Sequence, residues 1–207
     1  MPAAESSFST SGMRVDEKDN SVLNAQRALE RVAGRALPAR IHLHKRIPPG
    51  SGMGGASSDA ATTLRGLSAL YGLEIDLSQI GRELGSDVPF FLVGGCARGE
   101  GRGERLTPLP FEPAWFAVVW PGIELSTTAV YRAWDEVKGE GSNHLRRAAE
   151  HVEPRLQEFA RQLGTGWQMT GSGSAFFKRV DNREEGRKSI KNLDCWTAVT
   201  RAVGPWA

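Results

Sequence analysis

Apolar and polar positions change period several times along the chain, and each change marks an element. Val22, Leu23, Ala25, Ala28, Leu29 and Val32 recur at helical spacing, with Asp19 and Asn20 placed to cap the helix and Gly34 to stop it. From Arg40 to Ile47 the period drops to two: Ile41, Leu43 and Ile47 share one face, and Arg40, His42, His44 and Arg46 share the other. Lys45 falls on the apolar face of that strand. After the loop PPGSGMGGASS, a helix from about Asp59 to Tyr71 sets Ala60, Leu64, Leu67 and Leu70 on one side and ends at Gly72. A short helix over Leu77 to Leu84 follows. Residues 94 to 110, GGCARGEGRGERLTPLP, read as a turn or hairpin leading to a domain boundary.

Beyond that boundary the alternation begins again. Trp115 to Trp120 reads as a strand, and Ser126 to Val137 as a helix with Ala129, Val130, Ala133, Trp134 and Val137 inward. Leu145 to Leu163 is helical but interrupted at Pro154. Gly166 to Met169 and Ala175 to Val180 are strands around a glycine turn; Arg183 to Asn192 is a helix and Cys195 to Val203 a last strand. This order predicts an α+β fold, a sheet with helices on one face, of the split βαβ kind. The resulting division is 1–106 and 107–207.

Composition narrows the function classes. At 207 residues and 40% hydrophobic, the chain has material for one large domain or two small ones of about 100 residues each. Lys and Arg number 26 against 24 Asp and Glu, and the charges are mixed, which argues against a nucleic-acid partner. The longest strongly apolar run, Ala114 to Trp120, is too short to span a membrane, and the first twenty residues lack a secretory signal's apolar centre. The expected location is the cytoplasm. Cys96 and Cys195 lack disulfide or zinc spacing and are expected as small buried hydrophobes. His42, His44, His144 and His151 show no metal spacing, so no metal ligand set is predicted.

The chemistry concentrates in KRIPPGSGMGGASSDAA, Lys45 to Ala61. Gly50, Gly52, Gly54 and Gly55 remove side chains where a backbone must approach a ligand, and they admit positive φ angles that aim successive N–H groups into one concavity. Running into a helix N-terminus, such a loop suits a polyphosphate. Ser57 and Ser58 stand where a hydroxyl either caps the helix or ligates a phosphate-bound Mg²⁺. The loop has neither the lysine of a P-loop nor the spacing of a dinucleotide fold. Lys45 either snorkels outward or reaches the nucleotide. Asp87, before VPFFLV, either caps a short helix or acts as a base.

PPGSGMGGASSDAA resembles the phosphate loop of the galactokinase, homoserine kinase and mevalonate kinase superfamily, approximately P-x-G-A-G-L-G-G-G-S-S-D-A. Within it the likeness is nearest to the 4-diphosphocytidyl-2-C-methyl-D-erythritol kinase family. GSDVPF resembles that family's G-A-D-V-P-F, Ala97 to Glu104 its A-x-G-x-G-E turn, PGIELSTTAVY its P-G-x-x-x-x-T-x-x-x-F/Y segment, Asn143 its N-D-L motif, and MTGSGSAFF its third glycine motif. These segments cover the chain in order from about Asp19 to Phe177.

The resemblance implies a two-domain kinase, with a ribosomal-protein-S5-like ATP-binding first domain, incomplete at its start, and a ferredoxin-like substrate-binding second domain. It implies ATP and Mg²⁺ as cofactors. The expected acceptor is the 2-hydroxyl of a cytidine diphosphate-linked methylerythritol, in the non-mevalonate isoprenoid pathway. Asp87 becomes the base for that hydroxyl. Pro48, Pro49, Gly50, Ser51, Gly52, Met53, Gly54, Gly55, Ala56, Ser57 and Ser58 line the ATP phosphates, with Asn20 and Lys45 near the adenosine. Thr127, Tyr131, Gly171, Ser172 and Gly173 contact the substrate, Tyr131 by stacking on cytosine, although periodicity alone places Tyr131 in the core and Asn20 as a cap. Another superfamily kinase, or a nucleotide-binding chain without turnover, is the alternative; a homodimer is left open.

The match departs from the family in three places. Ala56 replaces a loop glycine, His144 replaces the aspartate after Asn143, and the family's P-A-K-I/V-N-L and G-Y-H motifs do not occur. The lysine of the first motif pairs with the base in the family. The first expectation is that Met1 is internal to a longer active kinase; the others are a truncated binder without turnover and a chain that pairs with another.

Overall fold

The computed structural model describes residues 4–16, 20–101 and 103–206, which form two compact units. The first comprises Met1–Arg46, Gly54–Phe111 and Val203–Ala207; the second comprises Ile47–Met53 and Glu112–Ala202.

In the first unit, strand β1 (Ser7–Gly12) leads through helix α1 (Ser21–Ala33) to strand β2 (Arg40–Lys45), which pairs with β1 in parallel, Ser7 opposite Arg40 and Gly12 opposite Lys45. Asn20 caps α1, its Oδ1 accepting from Val22 N at 2.9 Å, while Asp19 lies outside the described residues. The expected inward stripe of α1 shifts. Val32 is exposed, and Gln26 is buried because its amide donates to Leu37 O and Ser6 Oγ. The strand ends at Lys45, two residues before the Ile47 expected, where the chain enters the Pro48-Pro49 pair that has no ladder N–H to give. On the polar face of the pair, Ser9 and Ser11 hydroxyls bond the rings of His42 and His44.

Helix α2 (Gly55–Tyr71), α3 (Leu77–Leu84) and α4 (Val88–Val93) follow, then the antiparallel hairpin of β3 (Cys96–Glu100) and β4 (Arg105–Leu109). Leu29 of α1, Leu37, Ala61 and Leu64 of α2, Ile80 of α3 and Val88 of α4 form one core. Cys96 is exposed on the hairpin, contrary to expectation, since its strand lies in a two-stranded ribbon whose faces are largely exposed.

The second unit holds β5 (Trp115–Trp120), α5 (Thr127–Val137), α6 (Arg146–Val152), α7 (Arg155–Leu163), β6 (Gln168–Met169), β7 (Phe176–Val180), α8 (Arg183–Ile190) and β8 (Trp196–Arg201). The sheet order is β6-β7-β5-β8 with every neighbouring pair antiparallel, which is the split βαβ, ferredoxin-like arrangement. Val119, Val130, Ala148, Leu156, Met169 and Phe176 fill its core. Cys195 is half-buried, and burial pushes its thiol above the ordinary value. Among the described residues no helix is long and apolar enough to cross a membrane.

Candidate active site

The glycine loop divides at Gly54. Its first part belongs to the second unit and is fixed there by main-chain oxygens. Gly50 O accepts from Leu125 N at 3.1 Å, and Ser51 O accepts from Ala175 N at 3.0 Å and from Thr170 Oγ1 at 2.8 Å. Ser51, expected to line the phosphates, is 2% exposed and donates its hydroxyl to Pro48 O, so its side chain serves the loop's own shape. Gly52 shows why a glycine is needed: at φ 72° a Cβ would stand 2.6 Å from both Gly173 O and Thr170 O. Gly173, expected beside the substrate, thus packs its backbone on Gly52.

The second part opens α2. Gly50, Gly52 and Gly54 all have left-handed φ angles, so every second residue turns the backbone the same way. Gly54 is the N-cap and provides no side-chain cap, which leaves the main-chain N–H groups of Gly55, Ala56 and Ser57 without an intrahelical acceptor, while Ser58 N bonds Gly54 O. The helix begins four residues before the Asp59 expected from periodicity. Ser57 and Ser58 are therefore inside the first turn and do not cap. A bare helix N-terminus of 17 residues behind alternating left-handed glycines has the donors and dipole that an anion requires.

Lys45 neither snorkels nor extends freely. It is 6% exposed, and its Nζ donates to Asp59 Oδ2 at 2.5 Å, joining the end of β2 to the first turns of α2. Asp59 was not singled out from the sequence; the signal available was an acid closing the SSD string one strand and loop away from an inward lysine. It also lines a cavity of about 380 Å³ between β2 and α2, walled by Ile41, Leu43, Thr62, Gly66, Leu67 and Leu70. Asn20 is buried at 5% and engaged as a cap, with its Nδ2 donating to Asp16 O.

Asp87 occupies the N-cap position of α4 but makes no side-chain cap bond, so the capping alternative finds no support in its geometry. Its carboxylate is exposed. One turn later Phe91 lies against the loop: a Cβ on Gly54 would come within 2.7 Å of its ring. Neither Phe91 nor its neighbour across the fold, Trp206, stood out in the sequence, because only tertiary contact gives them a role.

In the second unit Thr127 and Ser172, far apart in sequence, share a hydrogen bond at 3.0 Å between hydroxyls. Tyr131, one turn along α5, is 53% exposed, against the core placement that periodicity suggests. Asn143 holds the turn that carries Gly171, its Nδ2 donating to Met169 O and Gly171 O while its Oδ1 accepts from Leu145 N. His144 in place of an aspartate leaves this clamp whole, since Asn143 alone makes these three bonds. Thr127 is thus joined to Ser172, buried in the 171–173 turn that Asn143 holds, and Tyr131 stands exposed one turn along α5.

Comparison with known proteins gives these features a common setting. The GHMP kinases N terminal domain family matches residues 20–95, which contain α1, β2, the glycine loop and α4. The 4-diphosphocytidyl-2-C-methyl-D-erythritol kinase of Thermus thermophilus is 39% identical over 202 residues, covering 86% of this chain and 74% of the relative. The kinase of that name from Pseudomonas syringae pv. tomato is 38% identical over 191 residues, covering 84% and 68%. A crystal structure of 4-(cytidine 5'-diphospho)-2C-methyl-D-erythritol kinase aligns at a TM-score of 0.79 and 34% identity, over 98% of this chain and 83% of that one. Homoserine kinase from Cytophaga hutchinsonii, at 0.65 and 16% over 97% and 82%, shares the fold. With such identity over most of its length, the chain belongs to the 4-diphosphocytidyl-2-C-methyl-D-erythritol kinase family of the GHMP kinases.

Proposed function

We propose that this chain transfers the γ-phosphoryl group of ATP to the 2-hydroxyl of 4-diphosphocytidyl-2-C-methyl-D-erythritol. The observation that carries the reading is the loop of alternating left-handed glycines entering an uncapped helix, found in a member of this kinase family. In that reading residues 1–106 supply the nucleotide site and 107–207 the acceptor site. The N–H groups of Gly55, Ala56 and Ser57 meet phosphate oxygens and hold the γ-phosphorus for in-line attack.

Proton balance falls to Asp87. The acceptor oxygen forms a bond to the γ-phosphorus, the bond from that phosphorus to the β,γ-bridging oxygen breaks, ADP departs, and the hydroxyl proton passes to the Asp87 carboxylate. An exposed carboxylate free of a capping bond keeps its lone pairs available for that proton. Thr127, Ser172 and the 171–173 turn meet the substrate diphosphate, and the Tyr131 ring offers a stacking face to cytosine.

Mg²⁺ bound with ATP neutralises charge on the β- and γ-phosphates. The donors present fit a cation brought by the nucleotide: the hydroxyls of Ser57 and Ser58 lie in the first turn of α2 and would help to hold it. Lys45 and Asn20, both engaged within the first unit, take supporting places near the nucleoside.

The test is ADP release from ATP and Mg²⁺ that depends on 4-diphosphocytidyl-2-C-methyl-D-erythritol, with mevalonate and homoserine as controls. Asp87→Asn is expected to lower turnover by about 100-fold or more while ATP affinity stays within a factor of a few. ADP release that ignores the acceptor, or ATP binding without turnover, defeats the proposed activity. Undiminished turnover in Asp87→Asn removes the base assignment alone.

A further inference from the structure

Helix α4 is six residues long, too short to be stable by itself, yet it carries Asp87 at its start. Its last four carbonyls all have a donor, the first by a helical bond from the C-cap residue and the other three from elsewhere in the fold. Phe90 O accepts from Gly94 N at 2.7 Å. Phe91 O accepts from the indole Nε1 of Trp206 at 2.8 Å, Leu92 O from Arg65 Nη1 at 3.0 Å, and Val93 O from the main-chain N of Trp206 at 3.1 Å. Two of the four donors therefore belong to a single residue 115 positions away from Phe91.

The same residues lock together on the outside of the helix end. The Arg65 guanidinium lies over the Trp206 ring, 4.9 Å from its centroid, so one arginine both caps the helix and seats the indole. Gly94 forms a bridge with Pro205, and the backbones approach so closely that a Cβ on Gly94 would stand 3.1 Å from the Trp206 ring and one on Gly95 3.0 Å from Pro205. Trp206 is nevertheless 54% exposed. Burial does not account for its placement; its two N–H donors and its stack with Arg65 do.

We infer that Trp206, seated by Arg65, is a positioning residue for phosphoryl transfer: it closes the carbonyl end of α4 and so fixes the helix that presents Asp87 and holds the Phe91 ring against Gly54. This rests on the reading of Asp87 as the base. At the amino end the Asp87 side chain makes no cap bond, and the helix is held there by Val88, which is buried in the core and donates its N–H to Gly85 O at 3.2 Å. With Val88 as the buried pivot, loosening the carbonyl end lets the six-residue helix tilt and shifts the carboxylate at its start. Small shifts matter at a catalytic group, where a misplacement of about 1 Å can cost on the order of 100-fold.

Trp206→Phe retains a ring for Arg65 and deletes the indole N–H; Arg65→Lys retains charge and loses the fork. For both, kcat, the KM for each substrate, Tm and amide hydrogen exchange in α4 would be measured, with Asp87→Asn alongside. Trp206→Phe is expected to lower kcat roughly 10-fold with KM values within a factor of a few, and to speed exchange in α4 while α1 keeps its protection. Faster exchange in α4 with unchanged kcat would make Trp206 a structural cap only and overturn the inference, as would unchanged exchange. If Asp87→Asn stays active, the failure lies in the base assignment; if Asp87→Asn is silent while Trp206→Phe is fully active, it lies in the positioning role.

Discussion

At the scale of single residues, the pairing of Lys45 with Asp59 is the least ordinary feature of the first unit. A lysine 6% exposed has given up nearly all its hydration, and its ammonium donates to a carboxylate at 2.5 Å. Pairs of this kind add little net stability when whole but are costly to break, because the surviving charge is stranded. Lys45→Met is expected to destabilise the fold by about 3 kcal/mol, whereas Lys45→Met with Asp59→Leu recovers most of that loss. Urea unfolding of both variants checks it, and equal losses would mean that packing, not the stranded carboxylate, sets the cost. The inward lysine was legible in the alternation of Arg40 to Lys45; its partner was not, because a contact fourteen residues away depends on how the loop folds back.

At the scale of elements, strong local periodicity translated well and weak periodicity did not. The strand Trp115–Trp120 and the helix Leu77–Leu84 lie where the pattern puts them, for each has a continuous apolar surface to bury. Strand β1 was invisible, since SFSTSG offers one large apolar side chain, and its existence depends on the ladder that β2 provides. The start of α2 was displaced because Gly55, Ala56, Ser57 and Ser58 carry no apolar stripe, although they are the turn on which the anion reading depends. That reading has a clean test at Ala56. An aspartate there faces the positive end of the helix and should raise stability slightly, by about 0.5 kcal/mol, while repelling the polyphosphate. Ala56→Asp is expected to weaken ATP binding at least 10-fold by calorimetry with no fall in Tm. Unchanged affinity would place the phosphates elsewhere. Gly54→Val is a poorer probe, because its side chain strikes the Phe91 ring whether or not ATP binds there.

At the scale of the whole molecule, the chain does not divide at a single point. A cut between residues 106 and 107 follows the change of pattern in the sequence, yet Ile47–Met53 belongs to the second unit and Val203–Ala207 to the first. No local signal announces either crossing, since both segments take their place from hydrogen bonds to distant backbone. The consequence is measurable in a fragment of residues 107–207. Without Ser51 and Gly50, the N–H groups of the buried residues Ala175 and Leu125 lose their acceptors, while the Thr170 hydroxyl keeps Ala175 O at 3.2 Å. Each buried donor left unpaired costs about 1–3 kcal/mol, a large share of what holds a domain of this size together. The fragment is expected to keep helical circular dichroism but to melt broadly and bind a hydrophobic dye, as a collapsed state without fixed packing does. Joining residues 47–53 to its amino end through a glycine-rich linker should restore a sharp transition. A fragment that melts cooperatively without them would show that the ferredoxin-like sheet is self-sufficient, and that the glycine loop leans on the second unit without supporting it.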